Sequence, residues 1–213
     1  MPKKQRDERL TTDFPGVMGS SSADFMRLVR LLYGHSAEYA AAHDGNVTPY
    51  TLAAIPMLFS ALRCFVIEYE SHWPSNSEAL SDLKDIGDIG RILDRYGVED
   101  PLRTEAFFLR EIRNEILHPV HRPTGTKDNW PGSLREVKNM GVLQSSGLPD
   151  ADYIMMAQMG SHRLFGFACG VVRDIVSTII ASDRRKQSFF LPFLDGYSFD
   201  FEDPRLTTAP AAK

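Results

Sequence analysis

The chain has only two cysteines, Cys64 and Cys169, far apart and each inside an apolar stretch. With no CxxC pair, a disulfide framework and a paired-thiolate metal site are both excluded, and buried thiols in a reducing compartment are expected. The first residues lack the apolar core of a secretory signal; they are charged instead (Lys3, Lys4, Arg6, Asp7, Glu8, Arg9). No charge-free apolar run reaches the roughly 18 residues of a membrane span. The most apolar stretch, Leu164 to Ile180, is broken by Arg173-Asp174. These absences predict a cytoplasmic protein that does not enter a membrane. An excess of basic charge is missing too. Lys and Arg number 24 against 28 Asp and Glu, a net charge of −4, which argues against a general nucleic-acid coat and leaves room for a localised site. There is no GxSxG elbow and no P-loop.

What is present is helical periodicity. Apolar residues make up 43% and charged residues 24% of the 213 positions, the proportions of a soluble globular chain large enough to bury one core. Residues 1–18 read as a flexible arm. A first helix is predicted from about Ala23 to Ala42, capped by Ser22 with Asp24 in its first turn, with Phe25, Leu28, Val29 and Leu32 in helical period. His35 and His43 share it, eight residues apart, and read as solvated rather than metal-binding. A second helix starts at Thr48-Pro49 and runs to about Glu70, kinked at Pro56. Its stripe of Leu58, Phe59, Leu62, Phe65, Val66 and Tyr69 is core, and Glu68 and Glu70 are expected on a solvated face. A third piece spans Asp82 to Tyr96 and stops at Gly97. The fourth is capped at Asp100-Pro101. From Pro119 to Pro149, prolines and glycines mark a long connection with a short helix near Leu134 to Met140. The last and longest helix is expected from Asp152 to Ser182. Its core stripe is Leu164, Ala168, Val171, Val172, Ile175 and Ile179, and Gly166-x-x-x-Gly170 permits close approach. No strand alternation appears, so the fold class is all-α: a bundle of about five helices over residues 19–182, with a long loop between the last two. Residues 183–213 carry Phe189, Phe190, Phe193, Tyr197, Phe199 and Phe201 among acidic residues. They are expected to pack on the bundle or on a partner, with a disordered end from Thr207 to Lys213.

The fourth helix ends in Leu109-Arg110-Glu111-Ile112-Arg113-Asn114-Glu115-Ile116-Leu117-His118-Pro119. Pro119 restricts His118 to extended geometry, so the helix stops there. Phe108, Leu109, Ile112 and Ile116 form one face; Arg110, Asn114 and His118 lie roughly opposite, with Arg113 on the flank. Arg113-Asn114-x-x-x-His118 resembles the Arg-polar-x-x-x-His motif of HEPN domains, a family of small helical bundles, and the resemblance covers roughly residues 22 to 182. Many members are metal-independent ribonucleases of toxin–antitoxin, CRISPR and phage-defence systems; others are non-catalytic and bind nucleic acid or partners. The resemblance implies an endoribonuclease acting on single-stranded RNA without a cofactor, built as a homodimer with two motifs facing one cleft, and served by a cognate antitoxin protein if it is a toxin. The alternative it leaves is a non-catalytic helical module that binds a protein or nucleic-acid partner.

The residue types suit that chemistry on their own terms. RNA supplies its nucleophile, the 2′-hydroxyl; cleavage needs a base, an acid for the leaving oxygen, and positive charge on the phosphate. Histidine titrates near neutrality and serves either proton transfer. Arginine offers a charged planar fork, and asparagine can hold a phosphate oxygen or orient the imidazole. Arg113 and His118 are about 140° apart on an ideal helix. They converge only if His118 bends out or two chains meet. One such histidine per chain leaves one of the two proton roles unfilled, and His121 is the residue that could fill it within one chain. Around them, Arg110 to Lys138 holds six basic and four acidic residues, +2 against −4 for the chain. Arg110, His121, Arg122, Lys127 and Trp130 are the candidate RNA contacts, Trp130 either stacking a base or plugging the bundle. A plainly structural reading stays open for the motif: Arg113 paired with Glu111 or Glu115, and His118 capping the helix.

Overall fold

A computed structural model of the chain describes residues 21–43, 47–71, 89–118, 132–143, 158–182, 190 and 195–207. Among them, seven helices have defined bounds, further helical residues lie at 158–159, 190 and 195–197, and no strand is present. The helices are α1 (Ser21–Ala42), α2 (Pro49–Ser71), α3 (Ile89–Arg95), α4 (Leu102–Leu117), α5 (Gly132–Asn139), α6 (His162–Ser182) and α7 (Pro204–Thr207). The fold is mainly helical, as the periodicity predicts.

The core forms where α1, α2, α4 and α6 turn their apolar stripes together. Met26, Val29, Tyr33, Leu58, Leu62, Phe65, Leu109, Ile112, Val172, Ile175 and Ile179 are all buried. The predicted stripe of α6 is buried throughout. On α1 the inward face is rotated from the expected one: Met26, Val29, Tyr33 and Ser36 face in, and Leu28 is 47% exposed. Leu28 fits the period numerically, but Tyr33 sets the register. Its ring meets His162, Phe165 and Phe199 at centroid distances of 4.7, 5.1 and 5.6 Å, and its hydroxyl accepts the Glu202 N–H at 2.9 Å.

Polar groups at the helix ends are satisfied from distant elements. The Glu68 carboxylate accepts the Ser22 N–H (3.1 Å) and the Ser22 hydroxyl (2.6 Å), so a carboxylate of α2 rather than the Ser22 side chain holds the positive end of α1. Glu70 is likewise not solvated. It takes hydrogen bonds from Arg95 (3.1 Å) and from the Tyr96 hydroxyl, tying α2 to α3. Burial and this carboxylate push the Tyr96 phenol far up. Pro49 opens α2 as expected, and the helix runs on through Pro56. α3 ends with Gly97 at φ +61° and the Val98 N–H on Leu93 O (2.9 Å), a left-handed glycine stop.

The helix expected from Asp152 is broken at Gly160 and Ser161, and α6 begins at His162; residues 152–157 lie outside the described residues. Ser161 forms an isolated antiparallel bridge with Val47, and the Thr48 N–H donates to Gly160 O at 2.7 Å. The Ser161 N–H closes a turn onto Gln158 O at 3.0 Å, and α6 follows. Here Ser36, Thr48, Thr51 and Ser161 are buried and bonded. Ser36 Oγ lies 2.7 Å from Thr48 Oγ1 and 2.8 Å from His162 Nδ1, and Thr51 Oγ1 donates to Ser161 O at 3.2 Å. The two thiols also differ: Cys169 is buried and Cys64 only half-buried.

The described residues after α6 lie on the bundle. Phe190 and Tyr197 are buried and meet the Phe65 ring at 6.0 and 5.9 Å. Gly166 and Gly170 of α6 make the seat. A Cβ at Gly166 would strike the Glu202 carbonyl, and one at Gly170 the Asp203 carboxylate and Arg205 guanidinium. Arg205 then reaches three carboxylates, Asp203 (2.7 Å), Asp174 (2.7 Å) and Glu105 (2.9 Å). Burial pulls the pKa of this guanidinium down, and these carboxylates more than offset it, pushing it above its ordinary value.

By length and composition Pro49–Glu70 and His162–Ser182 could each cross a membrane, and 72% of the latter's most apolar window is buried inside the protein.

Candidate functional site

α4 places the motif, and its register follows from both ends. At the start, Asp100 Oδ1 accepts the Thr104 N–H (3.2 Å) and hydroxyl (2.6 Å). Along its length Ala106, Leu109 and Ile112 are buried, with Phe108 and Ile116 packed behind them. At the end the His118 N–H donates to Asn114 O at 2.8 Å, and His118 leaves helical geometry at φ −134°, ψ 64°, as a residue before proline should. Asn114, Leu117 and His118 are exposed and Arg113 is half-buried.

Arg113 Nη1 donates to Asn114 Oδ1 at 2.9 Å. That bond uses one of five guanidinium donors and fixes the amide with its oxygen on the arginine. Glu111 instead accepts from the Ser133 hydroxyl of α5, and one carboxylate oxygen of Glu115 is buried. Among the described residues no hydrogen bond joins the His118 ring to Arg113 or Asn114. The structure therefore brings Arg113 and Asn114 together and sets His118 one turn beyond, on the exposed helix end. Arg110 lies with its guanidinium 4.8 Å from the Phe107 ring centroid. His121, Arg122, Lys127 and Trp130 fall outside the described residues.

Two further residues belong to this face. The Arg103 guanidinium also lies over Phe107, at 5.6 Å. Arg103, Phe107, Arg110 and Asn114 follow one another at spacings of four, three and four, the signal that a helical wheel started earlier in α4 would have caught.

Among the described residues no group of three or more His, Cys, Asp or Glu side chains is placed to hold a metal ion. Ser36 beside His162 has the elements of a nucleophile and base, but the serine is wholly buried. The imidazole, tilted against the Tyr33 ring, is pushed below its ordinary pKa by burial, so the pair acts in packing. Burial likewise pushes the Tyr33 phenol up to about 12.

No protein-family model, no curated protein and no solved structure matches this chain.

Proposed function

We propose that the chain is a HEPN-like, metal-independent endoribonuclease that cleaves single-stranded RNA, works as a homodimer in the cytoplasm, and serves as a toxin or defence effector controlled by a cognate antitoxin protein. The observation that supports this best is the exposed end of α4, where Arg113 is fastened to Asn114 and His118 turns out of the helix.

In this mechanism the 2′-hydroxyl attacks the adjacent phosphorus as an imidazole takes its proton. The P–O5′ bond breaks, and a second imidazole returns a proton to the leaving O5′. Arg113, with four donors left, neutralises the non-bridging oxygens. Each chain offers one His118, so two chains complete the pair of proton transfers. Leu117, 43% exposed beside His118, supplies apolar surface for the partner chain to cover.

Purified protein should cut single-stranded RNA in excess EDTA and leave a 2′,3′-cyclic phosphate and a 5′-hydroxyl. A substrate with 2′-deoxyribose at the cut site should resist. His118→Ala should slow cleavage by about 10²- to 10⁴-fold. Arg113→Lys should fail as well, because a point charge cannot replace the fork. Cleavage that requires a divalent cation, or survives both substitutions, rules the mechanism out. RNA binding without cleavage favours the non-catalytic module.

A further inference from the structure

In sequence α4 is electrically neutral: three arginines (Arg103, Arg110, Arg113) and three glutamates (Glu105, Glu111, Glu115). Folding separates them. Glu105 is buried against Arg205, Glu111 turns to Ser133 of α5, and Glu115 has an oxygen enclosed. Arg103, Arg110 and Arg113 are half-buried. Arg103 and Arg110 bracket Phe107 from one turn below and one turn above, both within cation–π range of its ring. The stripe Arg103, Phe107, Arg110, Asn114 then leads to His118. It covers about 22 Å at 1.5 Å per residue, or about six nucleotides at a stacked spacing of 3.4 Å. Its lower end meets acid. Arg103 pairs with Asp94 at 2.6 Å, with the aspartate side chain 65% exposed. Such a surface pair is weak and readily exchanged for a phosphate.

We infer that this stripe is the track along which single-stranded RNA lies on its way to His118, a proposal that rests on the ribonuclease reading and gives its site a length and a direction. Guanidiniums beside an aromatic ring combine charge for phosphates with planar surface for bases, the combination that single strands require. A duplex, whose bases are stacked away, can use only the charge. The acidic residues around Asp94 and Asp100 mark where the strand leaves the surface.

The test is binding, measured without cleavage. Fluorescence anisotropy of a labelled 2′-O-methyl oligouridylate of about twelve nucleotides, within the usual single-strand site range, is recorded on the full chain from about 50 to 200 mM salt. The double variant Arg103→Gln/Arg110→Gln should bind at least tenfold more weakly at the low-salt end. Its slope of log K against log salt should be shallower by about 1.4, or about 0.7 for each phosphate that is no longer neutralised. Phe107→Leu, which keeps an apolar packing residue, should lower affinity and leave the slope alone. Arg27→Gln on α1 should change neither. Wild-type protein that ignores the oligomer, a double variant with native circular dichroism and unaltered slope, or equal affinity for a duplex of the same length would each overturn the track. The two proposals fail separately. Binding that obeys these expectations in a protein that never cuts RNA sinks the nuclease alone. Cleavage with an unchanged KM in the double variant sinks the track alone.

Discussion

His162 carries a pH dependence that can be read from its surroundings. Burial lowers its pKa below the ordinary 6.5, opposed in part by Glu202. The groups that face it are Tyr33 and Ser36 of α1, with Thr48 behind Ser36, and Glu202 of the C-terminal segment. Because the unfolded chain takes up the proton more readily, this residue's contribution to stability is intact above about pH 6.5 and is lost as pH falls through the lowered value. The melting temperature should therefore drop between about pH 7.5 and 5.5, and drop less in His162→Gln, when both are followed by calorimetry; equal slopes would show that His162 is not responsible. Single residues were the least legible level in the sequence. Nothing in the spacing of Leu28 distinguishes it from Met26, because both sit near the apolar stripe. The distinction comes from Tyr33, whose partners lie 129 to 169 positions away. Glu70 reads as solvated for the same reason: its partners, Arg95 and Tyr96, belong to another helix.

At the level of elements, local chemistry wrote the ends more clearly than it wrote α6. Pro49, Gly97 and the residues around Asp100 and His118 each act through their own backbone or that of near neighbours, so their stops and starts are visible in sequence. The break before α6 is decided by Val47 pairing with Ser161 across more than a hundred residues. Glycine gives a paired test of how far an element depends on its neighbours. Gly34 on α1 faces open space, so Gly34→Ala should stabilise by about 0.5 to 1 kcal/mol through helix propensity. Gly170→Ala has the same propensity gain but drives a methyl group into Asp203 and Arg205. Breaking that buried ion pair costs about 3 to 5 kcal/mol, for a net loss of about 2 kcal/mol or more. Denaturant titration should give the two substitutions opposite signs. A stabilised Gly170→Ala would mean that the C-terminal segment does not sit where the structure puts it.

For the whole molecule, helical character was legible because every core element carries its own apolar stripe. The seat of the C-terminal segment was half legible: the Gly166-x-x-x-Gly170 spacing predicts a close approach, and the aromatic run predicts burial, but neither says that each is the other's partner. The proposed dimer is tested at this scale. Sedimentation equilibrium at tens of micromolar should give a two-chain mass, and Leu117→Glu should give one chain and abolish cleavage with little change in melting temperature, since Leu117 is already exposed. A two-chain mass that survives Leu117→Glu would place the interface elsewhere. The Arg205 clasp has a consequence in time. The cation is synthesised after all three of its carboxylates, and 100 positions after Glu105 on the helix that bears Arg113 and His118. At a ribosomal rate of about 5 to 20 residues per second, Glu105 waits roughly 5 to 20 s for its counter-charge. Over that interval burying the Glu105 carboxylate is unfavourable, so α4 docks fully only late in translation, and a ribosome stalled before Arg205 leaves the motif on an unfinished scaffold.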